Sequence, residues 1–132
     1  KSIILLSGSM GAGKTQLTQF LVEALGGTET ASPSFAIHNS YTTTRMTIEH
    51  LDLFRLENAD DLESTGFWDI FLGDDAVVVI EWSDKLADFG LEKNLPASWK
   101  KIEISIQVVT SGKDAGTTLD QSERKLKITP PL

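Results

Sequence analysis

The sequence predicts an α/β domain built around a phosphate-binding loop, and three observations carry that prediction. Gly8 to Thr15 read Gly-Ser-Met-Gly-Ala-Gly-Lys-Thr, a complete G-x-x-x-x-G-K-[ST] string. The apolar run Ile3-Ile4-Leu5-Leu6 leads straight into it, and Leu17, Phe20, Leu21 and Leu25 follow at helical spacing, so the string occupies a strand-to-helix turn. Further on, Ala76-Val77-Val78-Val79-Ile80 is continuous and rich in β-branched residues, the pattern of a strand covered on both faces.

The remaining elements follow from local signals. Ser2 to Leu6 reads as the first strand and Thr15 to Leu25 as the helix leaving the loop, ended by Gly26-Gly27. Ala31-Ser32-Pro33-Ser34 is a loop signal, because Pro33 keeps Ser32 out of helical geometry. Phe35 to Tyr41 and Met46 to Leu53 read as two strands of an antiparallel hairpin. Glu57 to Ser64 mixes acidic residues with leucine as a short helix does, Gly66 breaks it, and Phe67 and Trp68 read as packing residues. Ile102, Ile104, Ile106 and Val108 alternate with polar residues, which predicts a strand with one wet face, and Leu126 and Ile128 mark its partner across the loop Ser111 to Thr118. No repeat or linker divides residues 1–132, so one domain is expected.

Composition narrows the chemistry. With no cysteine, disulfides, thiolate metal sites and cysteine nucleophiles are excluded. A net charge of −7 argues against a nucleic-acid-binding surface, since phosphate contacts need clustered Lys and Arg. The apolar runs are too short to span a bilayer, and a soluble, cytoplasmic protein is expected.

Each position of the loop has a physical task. Gly8, Gly11 and Gly13 let the backbone turn tightly and aim successive N–H groups inward, Lys14 brings a positive charge to the β and γ phosphates, and Thr15 offers a hydroxyl to Mg²⁺. Glu81 closes the valine-rich strand, and an acidic residue at such a strand end reaches the Mg²⁺ shell or orients water. Asp52 closes Thr47 to Leu51 and is its rival; spacing alone leaves the choice between the two open. Trp82 can stack beside the nucleotide or simply pack, and His50 can relay a proton near Asp52 or serve as an ordinary hydrogen-bonded strand histidine. Arg55 lies close to Glu57, Asp60 and Asp61, where a local ion pair is expected.

Taken in order, Gly8 to Thr15, Ser32-Pro33-Ser34-Phe35, His50-Leu51-Asp52-Leu53-Phe54-Arg55 and Ile80-Glu81-Trp82 resemble the TsaE family, once called YjeE, of tRNA threonylcarbamoyladenosine biosynthesis. The resemblance runs from about Ser2 to Trp82. It implies a P-loop NTPase-like fold with a central mixed β-sheet flanked by helices, and a small ATPase using ATP and Mg²⁺. It also implies work with TsaB-like and TsaD-like partners on the adenosine beside the anticodon, with tRNA met only through the complex and no membrane involved. Gly11, Ala12, Gly13, Lys14, Thr15 and Gln16 would then wrap the phosphates, Thr15 and Glu81 would hold Mg²⁺, Ser34 would lie in a switch-like loop, and Asp52 would join the acidic network at the γ-phosphate. Ser9-Met10 stand where the family commonly has Asp-Leu, Gln16 and Ser34 where it has Thr, and Phe54 where it has Tyr. The resemblance also implies an N-terminal segment that contributes to the nucleotide-base side, and that segment is expected to be missing from residues 1–132.

Hydrolysis in this reading is attack of water on the γ-phosphoryl group, with the loop amides, Lys14 and Mg²⁺ stabilising the developing charge. Turnover in isolation is expected to be slow, because no arginine is placed as a finger. A small-molecule kinase would need an arginine-rich lid, whereas the connecting segments here are short and acidic. A GTP-binding switch would need Asn-Lys-x-Asp, and Ser83-Asp84-Lys85-Leu86 does not match it.

Overall fold

The computed structural model describes residues 1–8, 14–27, 38–72, 76–109 and 123–129. Their strands form a six-stranded mixed sheet, and the two ends of the sheet are antiparallel while its middle is parallel. In chain order the elements are β1 (Ser2–Gly8), α1 (Lys14–Ala24), β2 (His38–Thr42), β3 (Thr47–Asp52), α2 (Ala59–Ser64), β4 (Ala76–Glu81), α3 (Asp84–Asp88), β5 (Lys100–Val109) and β6 (Glu123–Thr129), with 3₁₀ turns at Phe67–Leu72 and Glu92–Asn94. The spatial order is β2-β3-β4-β1-β5-β6. β1 lies between β4 and β5, parallel to both, and β3 is parallel to β4. β2 and β6 add antiparallel edges to β3 and β5.

This order explains why β4 reads as an unbroken apolar run. It has a strand on either side and helical structure above and below, so both sets of alternate residues are buried: Val78, Val79 and Ile80 are each at most 1% exposed. On one face Leu6, Ile48 and Val79 pack with Val22 of α1, joined by Leu17, Leu21, Leu25 and Tyr41. On the other, Ile3, Leu5, Leu51, Leu53, Val78 and Ile80 meet Leu62, Phe67, Leu86 and Trp99. Phe67 is fully buried, as its sequence context predicts, and holds Trp68 and Phe71 edge-on at ring separations of 4.8 and 5.2 Å. Each fully buried side chain of this size contributes about 1.5–3 kcal/mol of apolar transfer free energy.

Local chemistry sets the boundaries. Asn58 caps α2 by accepting the Asp61 N–H at 2.9 Å. The Asp61 carboxylate in turn accepts the Glu57 N–H at 3.0 Å, which fixes the approach to the helix. α1 stops at Ala24, where Gly26 and Gly27 turn back N–H groups onto the Glu23 and Val22 carbonyls. The hairpin strand β2 begins at His38, and residues 35–37 of the strand expected from the sequence lie outside the described residues.

Candidate functional site

The alternation of β-strands decides which side chains meet at the C-terminal edge of the sheet. In β3, Ile48, His50 and Asp52 share a face, and in β4 so do Val77, Val79 and Glu81. Because Ile48 and Val79 belong to the cluster around Val22, this is the face that α1 covers. The parallel register pairs Asp52 directly with Glu81 and Glu81 with Leu6, two residues before Gly8. Asp52 and Glu81 therefore stand at one register position on neighbouring strands, level with Leu6 near the end of β1.

β1 ends at Gly8, whose φ of +148° is open to glycine and rarely entered by residues with a side chain. The backbone of Lys14 and Thr15 opens the 11-residue α1, and Gln16 is exposed in its first turn. No acidic residue occupies that turn, so the N–H groups and positive dipole end of the helix are not offset by a carboxylate of the helix itself. Gly11, Ala12, Gly13 and Ser34 lie outside the described residues.

The two carboxylates are held differently. Asp52 Oδ1 accepts the Phe54 N–H at 3.0 Å, a local turn that anchors a partly exposed side chain at the sheet edge. Glu81 is only 2% exposed and its Oε2 bonds His50 Nε2, on a histidine that is 1% exposed. His50 is thus a hydrogen-bonded strand residue, and its partner is Glu81; the relay beside Asp52 offered by the sequence is not the contact it makes. Tyr41, on the same face, has its phenol pushed above the usual value by burial and secondarily by the negative charge of Glu81.

The backbone turns sharply after Glu81. Trp82 has a φ of +59°, the left-handed region, and is the one non-glycine residue with positive φ among the described residues. This reversal lets both the Ser83 N–H and its hydroxyl reach the Leu6 carbonyl, each at 3.3 Å, and the Glu81 carbonyl accept the Leu53 N–H at 3.2 Å. The Trp82 ring packs on Phe54 at 4.9 Å and against the Phe67 cluster, which gives it a packing role. Lys85 closes the same corner by donating to the Phe54 and Leu56 carbonyls at 2.6 and 2.7 Å.

The donor set fits Mg²⁺. Oxygen ligands suit a hard cation, and Mg²⁺ takes one or two carboxylates and completes its shell with phosphate oxygens and water. Asp52 and Glu81 bring two carboxylates to this face, and no group of three His, Cys, Asp or Glu forms a self-contained cage among the described residues. Asn39 and Tyr41 are the residues of this face that sequence reading missed. Their alternation in β2 was legible, but only the pairing of Asn39 with His50 and Tyr41 with Ile48 says which face they join.

No helix among the described residues is long and apolar enough to cross a membrane. The fold is similar to the crystal structure of YdiB from Bacillus subtilis, with a TM-score of 0.58 and 24% identity over 83% of this chain and 62% of that one. Among curated relatives, the tRNA threonylcarbamoyladenosine biosynthesis protein TsaE of a Nostoc species is 42% identical over 64% of this chain and 54% of its own length. The TsaE proteins of a Synechocystis species and of Haemophilus influenzae are 42% and 36% identical, over 64% and 63% of this chain and 56% and 52% of theirs. The chain thus spans about half the length of these relatives. A family model described as threonylcarbamoyl adenosine biosynthesis protein TsaE matches residues 1–115 of the 132, and the chain belongs to the TsaE family.

Proposed function

We propose that this chain is the Mg²⁺- and ATP-binding part of an ATPase subunit that serves threonylcarbamoyl modification of tRNA adenosine through TsaB-like and TsaD-like partners. The observation that carries the reading is the in-register pair Asp52 and Glu81, beside the strand that delivers Gly8 to Thr15 to the N-terminus of α1. Gly11, Ala12, Gly13, Lys14 and Thr15 hold the phosphates, with Gln16 and Ser34 at their margin. Thr15 and Glu81 hold Mg²⁺, which supplies charge neutralisation at the phosphates. Asp52, partly exposed at the sheet edge, orients water toward the γ-phosphate. Trp82 supports this corner by packing on Phe54. The formal charge of −7 favours contact with protein partners over direct contact with tRNA.

Two measurements test this. Lys14→Ala removes a charge-assisted contact worth about 1.5–3 kcal/mol, so ATP affinity in calorimetry falls about ten- to a hundredfold with the fold intact. Unchanged affinity rejects the site. Gel filtration with a TsaB–TsaD-like pair is expected to give co-elution that strengthens with ATP over ADP or no nucleotide. Tight tRNA binding by the chain alone, without nucleotide-dependent association, rejects the partner reading, and transfer of phosphate to a small acceptor replaces it with a kinase.

A further inference from the structure

His50 and Glu81 are the two ionisable side chains most completely buried among the described residues, at 1% and 2% exposure, and they touch each other. The contact is diagonal. The register places His50 opposite Val79, so Glu81 lies two residues further along β4 and its side chain leans back to meet the imidazole. A carboxylate accepts and does not donate, so the bond requires a hydrogen on His50 Nε2.

A second observation bears on the other ring nitrogen. His50 Nδ1 is buried and makes no hydrogen bond among the described residues, and the same holds for Asn39 Nδ2. These residues are directly opposed across the antiparallel pair β2–β3, which brings their Cβ atoms to about 4.5–5.5 Å. In the neutral ring with its hydrogen on Nε2, Nδ1 carries a lone pair, and the amide N–H of Asn39 is a donor of complementary sense. Neither atom bonds the other, so it is the Glu81 contact that calls for the tautomer with its hydrogen on Nε2.

Glu81 and Asp52 are anchored in different ways. Asp52 is short and anchored by the Phe54 N–H at 3.0 Å, whereas a glutamate carboxylate rides on three rotatable bonds. Its backbone is fixed by the Leu53 N–H on its carbonyl and by the left-handed turn at Trp82, and His50 Nε2 engages its carboxylate. We infer that His50 is the positioning residue for Glu81: by engaging Oε2 it fixes the direction of the carboxylate on the sheet face that α1 covers. This rests on the reading of Glu81 as a Mg²⁺ ligand. His50 itself touches neither nucleotide nor metal in this arrangement.

The test compares two amides that differ by one methylene. In His50→Gln the amide N–H reaches Glu81, and in His50→Asn it falls short. The probe is Mn²⁺ binding to the ADP complex of the whole chain, followed by electron paramagnetic resonance, alongside ADP affinity in excess chelator. His50→Asn is expected to weaken Mn²⁺ binding by about tenfold or more, in the range typical of losing a hydrogen bond to a metal ligand, with chelator-state ADP affinity within about twofold of the parent. His50→Gln is expected to recover Mn²⁺ binding to within about threefold, and His50→Asn placed in a Glu81→Gln background is expected to add nothing further. His50→Leu, which fills the same buried site without an N–H, is expected to weaken Mn²⁺ binding as His50→Asn does and takes its place if that variant does not fold. Mn²⁺ binding that responds to Glu81→Ala but to none of the His50 variants overturns this inference alone. Equal loss of metal-dependent and chelator-state affinity, without rescue by Gln, assigns His50 a purely structural role. Mn²⁺ binding indifferent to Glu81→Ala overturns both this inference and the reading beneath it.

Discussion

Replacing Trp82 by glycine and, separately, by alanine isolates the left-handed turn that follows Glu81. Trp82 sits at φ +59°, where a residue with a Cβ pays about 1–2 kcal/mol and glycine pays nothing comparable. Both substitutions forfeit the ring contact with Phe54 at 4.9 Å and the packing on the Phe67 cluster, so those losses cancel in the comparison. Glycine carries back a cost of about 0.4–1 kcal/mol through the greater freedom of the unfolded chain. At the centre of the two ranges Trp82→Gly is more stable than Trp82→Ala by about 0.8 kcal/mol, which for 132 residues is about 2–5 °C in the midpoint of thermal unfolding. Parallel thermal and urea melts of the two variants measure it. If Trp82→Ala equals or exceeds Trp82→Gly in stability, the backbone at this position is not held left-handed. The account of how Ser83 reaches the Leu6 carbonyl then fails with it.

Tyr41, the single tyrosine of the chain, is expected to titrate above 10.0 when followed by absorbance at 295 nm, because burial and then the Glu81 charge disfavour its phenolate. With a folded value raised over the unfolded one, its contribution to stability is intact below about pH 10 and is lost as pH rises through the folded value; Glu81→Gln lowers the midpoint, and an unmoved midpoint removes Glu81 as a cause. Gly26→Ala places a Cβ 2.4 Å from Thr44 Oγ1 at a φ of +89°, so the urea midpoint falls by the equivalent of about 1–3 kcal/mol at constant slope, and a loss below about 0.5 kcal/mol contradicts the turn geometry. Phe67→Ala empties a fully buried aromatic site and costs about 3–5 kcal/mol in the same melt, against which a cost under about 1.5 kcal/mol means that Trp68 and Phe71 do not depend on it.

Local sequence determined the elements whose signals are local. The strand leading into Gly8, the helix after Thr15, the hairpin around Thr42 to Arg45 and the Ala76 to Ile80 strand were each legible because periodicity, turn chemistry and β-branching act over a few residues. The short α3 and the 3₁₀ turns at Phe67–Leu72 and Glu92–Asn94 were not, since one or two turns leave too few positions for a period to register. In the candidate site the chain announced its chemistry, namely a phosphate loop and carboxylates at two strand ends. It could not give His50 a partner or say which side chains share its face. Those are matters of which strands neighbour one another and in what register, and a shift of one residue would have sent every one of these side chains to the opposite face. Only the order β2-β3-β4-β1 and the pairings Asp52 with Glu81 and Asn39 with His50 put these residues on the face that α1 covers, bury Glu81 against an imidazole and leave Asp52 partly exposed.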